Sequence, residues 1–358
     1  MINIIIPKYK IKTSTTPPMN NKISVAILGV FNNPESSNIL LSNAFQNNEN
    51  IISVKNIDYR DYNRRNKDYF KNLIKDISKI YDLIFICKGN KISTDIIKNI
   101  HDSSRVFLWY MDWWPNLMNS PEVLEYSKMC HYRSSTGFET SGLWSCNIGL
   151  PVYNILDGSD INNYFPTNYN KEYDVIFIGG CDEERSVLYN FLLKQGFKVK
   201  FFGPGFTNYI NRSEFVELCN KSKIVLNMSR SNYIGYTSLR LWNIMACQSF
   251  VLTKQIPNME QLMGLTPGVH LDEFSNFLEL RTKIYKYLKD DSLRESIAKS
   301  ARNFIINNRT WDNSVKEILQ VITSNDGVVE YVPQYQNKKE NLNKPKIRRI
   351  GKNYGVDR

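Results

Sequence analysis

Histidine is scarce in this 358-residue sequence, with three in all, and the six cysteines stand far apart with no CxxC pair. Zinc sites need His and Cys at short fixed spacings, and disulfide frameworks need paired cysteines in a short chain, so the sequence argues against both. Cys87, Cys130, Cys146, Cys181, Cys219 and Cys247 read as reduced thiols, four of them in or beside apolar segments where cysteine serves as a small core residue. Long apolar runs are missing too. No stretch approaches the roughly 18 to 20 residues that cross a bilayer, and the opening MINIIIPKYK has too short an apolar run for a signal peptide. The expected location is a cytoplasm. Abundant Asn, Lys and Ile, as an AT-rich genome produces, point to a bacterium or a virus-infected host cell.

What is present fits a folded protein: 42% hydrophobic and 23% charged residues, over a length that suits two domains of about 150 residues. The net charge of +11 is concentrated at the ends. Residues 1–22 carry Lys8, Lys10, Lys12 and Lys22 with no acid, and residues 337–358 carry eight cations against Glu340 and Asp357. The body between them is therefore nearly neutral, flanked by basic arms; a solvated tail with no binding role is the commoner outcome for such a segment, and duplex DNA or an acidic membrane or protein surface are the alternatives.

Along the chain, short β-branched runs alternate with stretches of three- and four-residue apolar spacing. Strands are predicted at 23–30, 51–57, 81–87, 105–111 and near 129–134, with helices in SNILLSNAFQN, DYFKNLIKDISKI and TDIIKNIH. The Asn-, Asp- and Gly-rich segment at 153–171 reads as a linker. A second alternating series follows, with strands at 173–180, 197–203, 223–229, 249–253 and a short one at 268–271, and closing helices at 273–289, 292–307 and 311–323. Alternation of this kind means α/β architecture with parallel sheets, since parallel neighbours need a crossover. The division expected is a basic extension at 1–22, a first domain at 23–152, the linker at 153–171, a second domain at 172–324 and a basic tail at 325–358. Tandem parallel sheets bind ligands at the carboxyl ends of their strands, so the loops there are the ones to inspect.

In IFIGGCDEER a strand ends in Gly179 and Gly180 and a helix opens on acids, with Arg185 the one cation able to hold a phosphate. The dinucleotide GxGxxG is absent. In LNMSRSNYIGYTSLRLWNIMACQSFVLT a strand ends at Ser229, a polar loop follows, and a helix starts near Ser238 with Arg240, Asn243 and Cys247 along one stripe. A buried Arg there needs a partner, which a nucleotide diphosphate or an internal carboxylate would supply equally well. Asp112, among Trp109, Tyr110, Trp113 and Trp114, is either a general base beside a sugar-binding lip or a turn cap before Pro115. His101 and His131 are further candidate bases, with a structural role the commoner outcome for each.

The run from Ser229 through Arg240, Leu241, Trp242, Asn243, Ala246 and Cys247 resembles the donor-binding region of GT-B glycosyltransferases, in particular the CgeB-type, spore maturation protein-like group. So do VIFIGGCDEER, PNMEQLMG, RNFIINNRTWDNSV and FLWYMDWWP; the resemblance covers roughly 23–323 and is closest from 173 onward. It implies a GT-B fold, two Rossmann-like domains facing across a cleft, and metal-independent transfer of a sugar from a nucleotide-sugar donor, a UDP-sugar foremost, to an acceptor hydroxyl. It implies no other cofactor. Gly179, Gly180, Arg185, Ser229, Arg230, Tyr236, Thr237, Ser238, Arg240 and Asn243 would hold the donor, and Asp112 would act near the acceptor. Two positions depart from the group's pattern: Asn243 stands where a ribose-binding Glu is usual, and Gln248 where Gly is. The acceptor it implies is a glycan, small molecule or protein. The alternatives are a viral DNA-modifying glycosyltransferase acting on hydroxymethylated bases, and an inactive nucleotide- or sugar-binding scaffold.

Overall fold

The computed structural model describes residues 19–20, 22–60, 66–230 and 233–323. The two basic arms therefore lie almost wholly outside the described residues. The first half runs β1 (Ile23–Gly29), α1 (Ser37–Gln46), β2 (Ile51–Asp58), α2 (Lys67–Ile77), β3 (Leu83–Cys87), α3 (Thr94–Lys98), β4 (Arg105–Tyr110), α4 (Trp114–Met118), α5 (Pro121–Ser127), β5 (Tyr132–Ser135), α6 (Phe138–Ile148) and β6 (Tyr153–Asn154). The second runs β7 (Tyr173–Ile178), α7 (Glu183–Lys194), β8 (Val199–Phe202), α8 (Arg212–Asn220), β9 (Ser222–Asn227), α9 (Leu239–Ala246), β10 (Val251–Lys254), α10 (Met259–Met263), β11 (Asp272–Phe274), α11 (Phe277–Lys289), α12 (Asp291–Asn308) and α13 (Trp311–Thr323).

The strands form a six-stranded sheet ordered β2-β1-β3-β4-β5-β6 and a five-stranded sheet ordered β11-β10-β9-β7-β8. Every recorded pairing between them is parallel. Sheets covered on both faces need strands that are apolar on both faces. Strand β3 is the clearest case: Leu83, Phe85 and Cys87 join the core under α1, while Ile84 and Ile86 join the opposite one under α2 and α3. The second sheet is likewise packed on both sides.

Several elements differ from the sequence expectation. Helices α4 and α5 have five and seven residues with Pro in the first turn, too short to set up a periodic pattern. Helix α6 buries Thr140, Ser141 and Gly142 beside Trp144, so polarity does not distinguish its inner face. The strand expected at 268–271 is instead a turn closed by a bridge between Pro267 and Leu271, and β11 follows it. Helix α11 starts at Phe277 because the Asn276 side chain accepts a hydrogen bond from the Glu279 N–H.

The segment expected as a linker begins inside the first sheet, where β6 pairs with β5. The last helix, counted with the second domain by sequence, packs on the first: Trp311, Val315, Ile318, Leu319 and Ile322 share a core with Ile27, Phe85 and Trp109. Its apolar stripe covers the face that α1 alone leaves open. The chain thus crosses between domains twice at one place, where Ser159 pairs with Thr310 and the Ser159 N–H donates to Arg309 O at 2.8 Å. Gly158 lies so close to the Thr310 and Trp311 backbone that a Cβ would not fit.

Candidate active site

The second sheet reverses its order between β7 and β9, which is where open α/β sheets hold ligands. Two guanidinium groups converge on that point. Arg240, on the first turn of α9, donates to Ile178 O at 3.1 Å, Met228 O at 2.8 Å and Asn227 Oδ1 at 3.3 Å. Arg185, on the first turn of α7, donates to Gly180 O at 2.7 Å and Met228 O at 2.6 Å. Both lie over the Phe177 ring, at 4.8 and 4.9 Å from its centroid. Gly179 makes room for this arrangement, because a Cβ there would stand 2.5 Å from Arg240 Nη1.

Arg230 completes a cationic cluster from the loop after β9, 3.9 Å from Asp182, which also faces Arg185 at 3.2 Å. Among the described residues Asp182 is the one acid paired with any of the three arginines, so the cluster keeps an excess of positive charge. Burial first, and then Arg185, push the proton affinity of Arg240 down to about 9, which still leaves it charged at neutral pH. The hydroxyls of Ser229 and Ser238 are buried beside these groups without a hydrogen-bond partner. Ser238 is the N-cap residue of α9 yet makes no capping bond, so this helix end and its hydroxyl remain available to a ligand. The N-terminus of α7 differs, being filled by its own Asp182 cap and by Glu183 and Glu184.

A cleft of about 300 Å³ opens onto this cluster, with Asp112, Trp113 and Asn116 of the first domain on its opposite wall. Asp112 follows β4, accepts from Lys88 Nζ at 2.7 Å through Oδ2 and from the Trp113 N–H at 3.0 Å through Oδ1. Lys88 sits in a left-handed backbone conformation, φ 64°, a strained setting for a residue other than glycine. The domains touch across the cleft mouth: the Ile234 N–H donates to Glu139 Oε2 at 2.8 Å, and the Trp113 and Tyr233 rings meet edge to face.

Of the residues expected from sequence, Asp112, Gly180, Arg185, Ser229, Arg230, Tyr236, Ser238 and Arg240 line this cleft together. Three stand behind it. Gly179 backs Arg240; Thr237 is buried and accepts from Asn227 Nδ2. Asn243 is buried and accepts from Ser159 Oγ at 2.8 Å, tying α9 to the domain crossing. His131 and His101 lie at the amino ends of the strands, away from the cleft; His131 Nδ1 accepts from the Val106 N–H, and His101 Nδ1 contacts Ser103 Oγ.

Sequence reasoning passed over Asp157, Asn116 and the Phe177 platform. Asp157 is 8% exposed, and burial first, then Asp112, push its carboxyl up to about 7. Burial also holds the Tyr236 phenol above its usual range, with Asp112 and Asp157 adding to it. A lone Asp in a Gly- and Asn-rich segment carries no pattern that would have marked it.

Two parallel α/β sheets facing a cleft are the arrangement of GT-B glycosyltransferase structures, which this fold matches. Residues 185–320 match the family model described as glycosyl transferase-like. No curated protein matches this chain in sequence. Among solved structures, an alpha-glucosyltransferase in complex with UDP-glucose and DNA containing an abasic site is 13% identical. It superposes with a TM-score of 0.64 over 85% of this chain and 100% of that one. Anabaena HepE in complex with UDP and glucose is 12% identical, with a TM-score of 0.60 over 84% of this chain and 99% of that one. Among the described residues no helix is long and apolar enough to cross a membrane.

Proposed function

We propose that this protein is a glycosyltransferase of the CgeB-type group that moves a sugar from a UDP-sugar to an acceptor hydroxyl, without a metal, in the cytoplasm. The observation that carries the reading is the cleft wall made by Arg185, Arg230, Arg240 and the unpartnered hydroxyls of Ser229 and Ser238. Excess positive charge, an open helix N-terminus and unpaired donors together suit a diphosphate. They would stabilise the charge that develops on it as the bond to the sugar breaks, the task a bound cation performs in other transferases. Asp112 stands across the cleft, where it would take the acceptor's proton, while Trp113 and Asn116 offer an aromatic face and an amide to a sugar or base. Asn243 would act by bracing α9 against Ser159 rather than by touching ribose.

The test is UDP binding by calorimetry, followed by hydrolysis of UDP-glucose. Arg230 is exposed, so Arg230→Ala should leave the fold intact and weaken UDP by about 1.5 kcal/mol, the lower range for a charge-assisted bond. Equal affinity would remove the diphosphate assignment. An inactive scaffold would bind UDP and hydrolyse nothing.

Duplex DNA is the second acceptor class, favoured by the +6 carried by residues 337–358 and by the likeness to an enzyme held on DNA. Each phosphate contact steepens the salt dependence of binding by roughly 0.9. Deleting 337–358 should therefore flatten that dependence, and an unchanged slope would leave a glycan, small molecule or protein as acceptor.

A further inference from the structure

We propose that Glu139 is a positioning residue for the donor: from the first domain it clasps the loop that leads into α9, so that the part of the cleft wall carried by this loop is set in place by the opposite domain. This inference rests on the reading of the cleft as a UDP-sugar site.

The clasp consists of two hydrogen bonds running in opposite directions. The Ile234 N–H donates to Glu139 Oε2 at 2.8 Å, and the Glu139 N–H donates to Ile234 O at 3.1 Å. One residue of the first domain thus satisfies both backbone groups of one residue in the second. An anionic acceptor makes the first of these bonds charge-assisted, and so roughly twice as strong as a neutral pair. Side chains close around it. The Tyr236 ring lies over Gly137, the N-cap residue of α6, where a Cβ would stand 3.0 Å from it. Gly235, at φ 61°, is wedged between Phe138 of the first domain and Leu262 of α10, and a Cβ there would stand 2.9 Å from each. Trp113 and Tyr233 meet edge to face at 5.6 Å. The chain crosses between domains at Ser159 and Thr310, and the clasp is a separate attachment at the cleft mouth.

What the loop carries explains why its position matters. Tyr236 and Ser238 both line the cleft, and Ser238 is the uncapped start of α9. The second domain holds the loop through the Gly235 N–H, which donates to Pro257 O at 3.1 Å, and through Thr237, which accepts from Asn227 Nδ2. A bond from the Tyr236 N–H to Tyr233 O closes a turn within the loop itself. The hold on Ile234 comes from across the cleft. A loop already ordered binds a ligand more tightly, because the ligand need not supply the entropy of ordering it. Such coupling is reciprocal: a clasp that strengthens donor binding is strengthened by the donor to the same degree. An acid in the first turn also steadies α6 through the helix dipole, an effect that depends on its charge and not on Ile234.

Calorimetry with UDP separates the two roles. Glu139→Ala should weaken UDP about fivefold, the low end of measured couplings between sites. Glu139→Gln loses the charge but keeps an oxygen for the Ile234 N–H, so its affinity should stay within about twofold of wild type. Equal affinity in wild type and Glu139→Ala overturns the proposal, and so does a loss in Glu139→Gln as large as that in Glu139→Ala, which would assign the effect to charge. Should Glu139→Ala fail to fold, the reciprocal measurement uses the wild type alone. Saturating UDP should slow hydrogen exchange of the Glu139 amide, in the domain opposite the arginine cluster, and unchanged exchange there overturns the coupling. A wild type that binds no UDP removes the donor reading and this inference together, whereas UDP binding that ignores Glu139 removes this inference alone.

Discussion

One wall of the cleft carries an excess of positive charge while the carboxylate on the other is paired with a lysine, and the two are built in opposite ways. The arginine wall is made of guanidinium groups fixed by backbone carbonyls: Arg240 and Arg185 both donate to Met228 O, and each also reaches the β7 end, at Ile178 O and Gly180 O respectively. On the opposite wall Asp112 is held by the Trp113 N–H and by a lysine whose side chain is 40% exposed. Groups tied to carbonyls of a buried sheet end cannot follow a ligand, so that wall is organised before anything binds. A half-exposed lysine can leave its partner, so the Asp112 wall can adjust. Under the proposed function, one chain would thus offer a fixed socket to one ligand and an adaptable face to another.

Arg240→Ala is the largest way to break this contrast. Removing it leaves Asn227 Oδ1 and Ile178 O without the donor that reaches them, so chemical denaturation should show a loss of about 2 to 4 kcal/mol in stability. A variant as stable as wild type would mean that the arginine wall is not a brace. Next comes Asp112→Asn, which keeps shape and removes basicity: turnover should fall about 100-fold or more with UDP affinity unchanged, a difference that single-turnover kinetics and calorimetry separate. Ser238→Ala sharpens the comparison on a smaller scale. Its hydroxyl has no partner in the free protein, so stability should hold or rise slightly while UDP affinity falls by about 1 kcal/mol, roughly fivefold. Smallest is Lys88→Met, where loss of an ion pair with a half-exposed lysine should alter stability by less than about 1 kcal/mol. If it destabilised the protein as much as Arg240→Ala, the distinction between fixed and adjustable walls would be gone.

How much of this was legible in the sequence depends on range. The strands of both sheets are local apolar runs, and β1, β3, β4 and β7 lie where their β-branched residues place them. Loop residues after β7 and β9 were readable because a strand end followed by a helix start is itself a local signal; Arg185, Ser229, Arg230 and Arg240 came from it. Asn243 shows where that stops. Its helical position on the stripe of Arg240 is correct, but one turn further along α9 the stripe has passed from the cleft into the domain crossing, where Ser159 waits. The same limit explains α13, whose amphipathic stripe was visible while the domain it covers was not. Asp157 depends on both: it became a buried charge only when two distant stretches of chain closed around it.

The double crossing has one more consequence. The Met19 N–H donates to Ile322 O at 3.0 Å, so the outermost described segments lie side by side on the first domain. In chain topology the second domain is an insertion: residues from about 157 to 310 leave the first domain and return to it through two adjacent segments joined by the bridge between Ser159 and Thr310, like a loop drawn out between two fingers. A circular permutant that joins the neighbourhood of Met19 to that of Ile322 and opens the chain in a surface turn of the first domain should retain both sheets, with its new ends moved away from the old ones.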